Sequence, residues 1–358
     1  MTETSDERDL PMLKRFTAAL MLFSSLLILS SCRSNKAGQS AELVVVSYPG
    51  DAQIPYRKFL SDPFEKKHPG LSVRLVPSES EDVVAQIKAA RGTSPYDVVT
   101  LGVPRQISAV DEGWVEQTPR AALPNLAEVY PQFIKACRDT GIPETYSLIG
   151  LAYNPDKVPA PHAWADLWKP EYKGKLGMTT PASNLGFAVV VMTAKLNGGS
   201  EDNLAPAWPK LRSLGPFVVA PSPESLAQLF ERGEVAIAPM WNNDAAILAL
   251  HGFKLKFVQP APGAIVVVSC MDVVKNSGQT ALAREFLNDE ISRGFQSHLA
   301  DAPWYFGPTN RNVGIPAGSS AYMPATIEDL DRATYFDWVT AVKHRAEVTE
   351  QFDREFSR

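Results

Sequence analysis

Between residues 42 and 101 the sequence alternates short β-branched runs with longer segments of helical character, and this alternation constrains the fold more than any other feature. Glu42-Leu-Val-Val-Val-Ser-Tyr48 predicts a buried strand, Pro49-Gly50-Asp51 a turn, and about 54–67 a helix. Leu71-Ser-Val-Arg-Leu-Val76 and Tyr96-Asp-Val-Val-Thr-Leu101 predict two more strands, separated by a helix over 79–90. Such spacing argues an α/β unit with a largely parallel sheet, in which ligands sit beyond the carboxyl ends of the strands.

A second α/β pattern follows. Residues 146–153 (YSLIGLAY) are extended, 154–161 break regular structure, 164–168 predict a helical turn, and 174–178 a strand ahead of a helix over 186–196. Residues 217–220 and 235–239 add strands around a helix near 223–232, with a further helix over 245–250. Residues 256–260 and 263–269 are strand-prone, and helices are expected over about 280–298 and 326–350. The expected architecture is therefore α/β with two lobes, crossing segments between them and a cleft. Residues 41–147 and 260–358 would form a discontinuous first lobe, and 148–259 the second.

Upstream, the apolar run 16–31 follows Lys14-Arg15 and stops at Cys32. A basic pair ahead of an apolar centre is the pattern of an export signal, and the run is short for a membrane span. Leu29-Ser30-Ser31-Cys32 resembles the lipobox of bacterial lipoproteins, in which the cysteine is lipidated and becomes the new N-terminus. That resemblance implies a signal peptide over 1–31, lipidation of Cys32 and a polar tether over 32–40. An ordinary secretory signal or a short anchor helix is the alternative. The acidic residues before Met12 leave open whether Met1 or Met12 starts the chain. In an exported protein Cys137 and Cys270 could pair, or could simply fill core space.

The formal net charge of -5 at pH 7, with Lys and Arg scattered, gives no general attraction for nucleic acid or anionic lipid. The five histidines have no metal-ligand spacing, so neither a metal nor a cofactor is expected. The chain lacks G-x-S-x-G and H-E-x-x-H, and its acidic residues are too scattered for the sequence to select a catalytic pair. An exported hydrolase is accordingly a minor alternative to a non-enzymatic protein.

Several segments together resemble the extracellular solute-binding proteins of bacterial ABC importers, in the two-lobed class that includes polyamine-binding and ferric-ion-binding members. They are Gly150-Leu-Ala-Tyr153-Asn154-Pro155-Asp156-Lys157-Val158 with Trp164-Ala-Asp166-Leu167-Trp168, then Glu231-Arg-Gly233-Glu234-Val-Ala-Ile-Ala-Pro-Met-Trp241, Pro260-Ala-Pro262-Gly263-Ala264, and Phe306-Gly307-Pro308-Thr309-Asn310. The resemblance implies a type II periplasmic-binding-protein-like fold whose lobes close on a small organic solute (an amine, amino-acid-like or opine-like molecule). It also implies delivery to an ABC permease with its ATPase, a lipid anchor at the outer face of the cytoplasmic membrane, and a monomer. A sensor module built on the same fold is an alternative use.

The family places ligand contacts in loops after strands and at helix starts. Tyr48 and Asp51 follow the first strand, Ser183 and Asn184 precede the helix over 186–196, and Trp241, Asn242 and Asp244 follow the strand over 235–239. Tyr305 belongs to an aromatic group that could face an organic cation. Each has a plain structural alternative: Asp51, Ser183, Asn184 or Asp244 as helix caps, and Trp241 or Tyr305 as packing. Polyamine receptors of this family carry an aromatic and then an acidic residue in the strand after the Pro-Gly turn. Here that run is Ile265-Val-Val-Val-Ser269-Cys270-Met271, which argues against a polyamine, because a multiply charged amine needs carboxylates. Ferric-ion receptors use adjacent tyrosines, and this chain has no Tyr-Tyr pair.

Overall fold

A computed structural model describes residues 41–90, 94–302, 304–324 and 326–357. The signal-like run, Cys32 and the whole tether lie outside the described residues. The strands are β1 (Ala41–Ser47), β2 (Leu71–Pro77), β3 (Val98–Gly102), β4 (Ile142–Tyr153), β5 (Gly177–Thr179), β6 (Val218–Ala220), β7 (Ile237–Trp241), β8 (Lys256–Val258), β9 (Ile265–Val273) and β10 (Gly307–Pro308). They build a two-lobed α/β fold. The first sheet runs β10-β4-β9-β3-β1-β2, with β1 parallel to β2 and β3, and β9 antiparallel to β3 and β4.

Alternation along β1 explains why this sheet is covered on both faces. Leu43 and Val45 pack with Val73, Phe64 and Phe286, whereas Val44 and Val46 pack with Val83, Ile87 and Ala109. A parallel sheet buried on both sides reads as a near-continuous apolar run, and each fully buried aliphatic side chain contributes roughly 1.5–3 kcal/mol. The helical segment after β1 spans residues 53–67 and contains a π-helical stretch at Tyr56–Ser61.

The second lobe pairs β5 in parallel with β6, and Leu176 bridges Ile237 at the edge of β7. Its core gathers Met178, Phe187, Val190, Leu226, Ile237 and Trp208. The lobes are joined by β4, which pairs with β9 over Ile142–Ile149 and with β7 over Ile149–Tyr153, β8 lying on its other side. Cys137, just after the helix Pro131–Ala136, is disulfide-bonded to Cys270 of β9, with 5.7 Å between the Cα atoms.

The helices depart from expectation in several places, and the one expected over about 280–298 is two, Thr280–Glu290 and Arg293–Gln296, the second capped by Ser292. The helix Val103–Asp111, with Pro104 in its first turn, follows β3 directly and is not foreseen in the sequence. The single helix expected over 326–350 is instead Ile327–Asp331, Trp338–Ala341 and Arg345–Phe356, with a 3-10 turn between the last two. The break has a cause: Thr334 donates its N–H to Ala264 O and accepts from Val266 N–H, which fixes that stretch to the start of β9. The terminal helix then docks on the second lobe. Phe217 lies 6.4 Å from Phe352 and 5.3 Å from Phe356 between ring centroids, and Arg212 pairs with Glu355 at 2.7 Å.

A carboxylate-rich cleft between the lobes

A cavity of about 400 Å³ opens beyond the carboxyl ends of the parallel strands, where α/β sheets place their ligands. One wall comes from the first lobe: Tyr48 and Asp51 after β1, Glu79 and Glu81 after β2, and Gly102 at the end of β3. The facing wall comes from the second lobe: Ser183 and Asn184, the helix Pro223–Glu231, and Trp241 with Asn243 and Asp244. Ser147 of β4, Val267 and Ser269 of β9, and Phe306 also line the cavity.

Of the side chains expected at the ligand, Tyr48, Asp51, Ser183, Asn184, Trp241 and Asp244 are brought together here, and Asn242 and Tyr305 are not. The Ser183 hydroxyl is committed locally. It accepts the Gly186 N–H at 3.0 Å as the cap of the helix Asn184–Leu196 and lies 2.9 Å from Thr179 Oγ1. Asn184 accepts from Arg345 at 2.9 Å through Oδ1, while its Nδ2 stands 2.6 Å from where a Cβ on Gly102 would be, so glycine is needed for that approach. Tyr48 shares a 3.0 Å hydrogen bond with Ser269, and burial raises its hydroxyl pKa. Asp51 lies 3.4 Å from His251 of the opposite wall.

Asn242 is buried behind the site. Its Oδ1 accepts from Leu148 N–H and its Nδ2 donates to Tyr305 O, each at 2.8 Å. Tyr305 turns away from the cavity to stack on Tyr322 at 5.0 Å, with a positive φ of 48°, and its neighbour Phe306 lines the cavity instead.

The electrostatics are dominated by carboxyl groups, of which only Asp51 and Asp244 are expected from the sequence. Six carboxyl residues line the cavity (Asp51, Glu79, Glu81, Glu224, Glu231 and Asp244) against His251 as the only basic one among the described lining residues. Burial pushes the Glu79 carboxyl up to about 10, assisted by the neighbouring carboxyl groups of Glu224, Glu81 and Asp244. Burial followed by Glu224 raises Asp244 to about 7. Glu81 is also raised by burial, partly offset by Arg105 and Arg345, which stand behind the wall and both reach the Ala182 carbonyl. Signals for these residues existed. Glu79 and Glu81 sit at the end of a parallel strand, and Glu224, Ala227, Gln228 and Glu231 recur at i, i+3, i+4 and i+7, one face of a helix. Among the described residues no group of three or more His, Cys, Asp or Glu could hold a metal.

Residues 60–293 match the model of the family described as bacterial extracellular solute-binding protein. The spermidine/putrescine-binding periplasmic protein of Escherichia coli is 26% identical over 80% of this chain and 84% of its own length, and that of Haemophilus influenzae is 24% identical over 75% and 76%. A solved extracellular solute-binding protein of Bordetella parapertussis superposes with a TM-score of 0.69 at 25% identity, covering 87% of this chain and 98% of its own. MotA of Agrobacterium tumefaciens, solved with glucopine, shares the fold at a TM-score of 0.74 and 19% identity, over 87% and 99%. With a cleft between two lobes and this family match, the chain belongs to the bacterial extracellular solute-binding proteins, the non-catalytic receptors of ABC importers, and is related to their polyamine-binding members.

Proposed function

We propose that this receptor captures an organic cation of the di- or polyamine class and presents it to its permease from a lipid anchor on Cys32. The observation that carries the reading is the excess of carboxylates over basic groups in the cavity wall. Clustered carboxylates in a partly desolvated cavity repel one another, and a multiply charged amine relieves that repulsion while its methylenes pack on apolar surface. Trp241, Tyr48 and Phe306 offer such surface, and their ring faces suit ammonium groups. The missing acid in the β9 run is made up from other elements: Glu79 and Glu81 after β2, Glu224 and Glu231 on one helix, and Asp244 after β7. The curated relatives named for spermidine and putrescine support the same class.

Closure is a two-state equilibrium biased by a solute that touches both walls. In this reading residues 41–147 and the β9–β10 region act as one lobe, while 148–259 act as the other with the terminal helix attached. Tyr48, Asp51, Trp241 and Asp244 are the contacts, with Ser183 and Asn184 shaping the wall. Thermal unfolding of residues 33–358 with spermidine, putrescine, glutamate and an opine tests it. A saturable rise in midpoint with spermidine or putrescine, lost in Asp244→Asn, is expected. A shift with glutamate or the opine alone would overturn the cation reading.

A further inference from the structure

We propose that Arg105, which stands outside the solute cavity, is a strut between the lobes that holds part of the unliganded receptor closed and slows the release of a bound solute. The half-buried Arg105 lies in the first turn of the helix Val103–Asp111, which follows β3 of the first sheet. Its Nη2 donates to the carbonyl of Ala182, between β5 and the helix Asn184–Leu196 of the second lobe. The acceptor is thus the main chain of the loop that supplies Ser183 and Asn184 to the cavity wall. A hydrogen bond that spans two bodies is made in only one of their arrangements, so it biases the closure equilibrium by its own free energy.

Arg345 fixes the acceptor in place. From the start of the terminal helix it donates to Ala182 O at 3.3 Å and to Asn184 Oδ1 at 2.9 Å, and its guanidinium covers the Phe187 ring at 4.3 Å from the centroid. All three partners belong to residues 182–187 of the second lobe, so Arg345 travels with that lobe and Arg105 with the other. Asn184, held in this way, abuts Gly102 at the end of β3. Closure therefore brings one guanidinium up to another. Glu81, on the helix Ser80–Ala89, faces both and offsets part of the repulsion, while the Nε of each guanidinium is buried without a partner. A shared acceptor and a like-charged neighbour weaken the bond, so it biases closure without locking it.

Small-angle X-ray scattering of residues 33–358 without solute, and stopped-flow binding of spermidine, test the strut on Arg105→Met. Methionine keeps an apolar stem and loses the donors, and Ala182 O retains Arg345, so no buried carbonyl is stripped of its partner. In the unliganded protein the expected result is a larger radius of gyration than that of the wild type. Spermidine should dissociate about tenfold faster, the contribution of one hydrogen bond to a charged group, and associate no more slowly. Removing a positive charge beside an acidic cavity would by electrostatics alone tighten the binding of a cation. Weaker binding is therefore a readout that the charge change cannot produce. Arg105→Lys, with a single-pointed donor, should fall between the two and serves in place of the methionine variant if that does not fold. An unchanged radius of gyration, or release of spermidine no faster than from the wild type, overturns the strut. Failure of spermidine to bind the wild type overturns the organic-cation reading alone, and the scattering result still decides the strut.

Discussion

Replacing Asn242 by alanine separates a pin in the fold from a contact in the site. The side chain is 1% exposed and bridges Leu148 N–H in β4 and the Tyr305 carbonyl in the loop before β10, at 2.8 Å each. Alanine leaves Leu148 N–H buried without an acceptor, and each buried polar group stripped of its partner costs about 1–3 kcal/mol. The Tyr305 carbonyl is only half-buried and recovers part of its loss from water, so the total is about 2–4 kcal/mol. For the unit Ser40–Arg358, an unfolding entropy of about 2.1 cal/mol/K per residue converts this to a fall in Tm of roughly 3–6 °C. Circular dichroism melts and urea titration of residues 33–358 read the change, while calorimetry measures spermidine affinity on the folded protein. A drop of that size with near-unchanged affinity is expected. An unchanged Tm with lost affinity would refute the reasoning and put the amide in contact with the solute.

Stability should also decline as pH rises from about 5 to 9. Glu144, Glu290 and Asp272 are all fully buried; burial raises Glu144 and Asp272, and burial with the neighbouring Glu144 raises Glu290 further. For a carboxyl whose folded pKa is raised, the stabilisation is fully present below the unfolded value and is lost as pH climbs through the folded one. Melts across that range should show Tm falling, and Glu290→Gln should flatten the slope; a Tm rising with pH would refute it. Replacing both Cys137 and Cys270 by alanine opens a loop of 133 residues, which in the chain-entropy account costs up to about 5 kcal/mol. The melt should move down by several degrees with spermidine affinity retained, and an unchanged midpoint would show that the crosslink constrains little.

The fold was legible where local signals agree with tertiary ones. The apolar runs at 42–48, 71–76 and 96–101 become β1, β2 and β3, and the family segments order the second lobe. The helix expected over 326–350 fails because its pattern carries no trace of Thr334 bonding to β9, a partner some seventy residues away. In the site, position after a strand was enough to find Tyr48, Trp241 and Asp244, but position cannot tell Asn242, turned inward, from Asn243, turned to the cavity. The glutamates of the wall, Glu79, Glu81, Glu224 and Glu231, are missing from that reading for a related reason. Each is unremarked in its own segment, and only closure of two walls gathers Glu79, Glu224 and Asp244 into one charge problem.

Ile149 pairs with Ile265 on one side of β4 and with Trp241 on the other, and the next residue, Gly150, leaves no room for a side chain: an added Cβ would meet Val258 O at 2.4 Å and the Phe257 ring at 2.5 Å. A joint made this way behaves as a leaf spring instead of a swivel. Rotation has to be spread as twist along a ladder that stays bonded, which limits its range. Register cannot slip by one residue without turning every side chain to the wrong face. The spacing of the two cavity walls is therefore set by backbone pairing at the joint as well as by the side chains that line them.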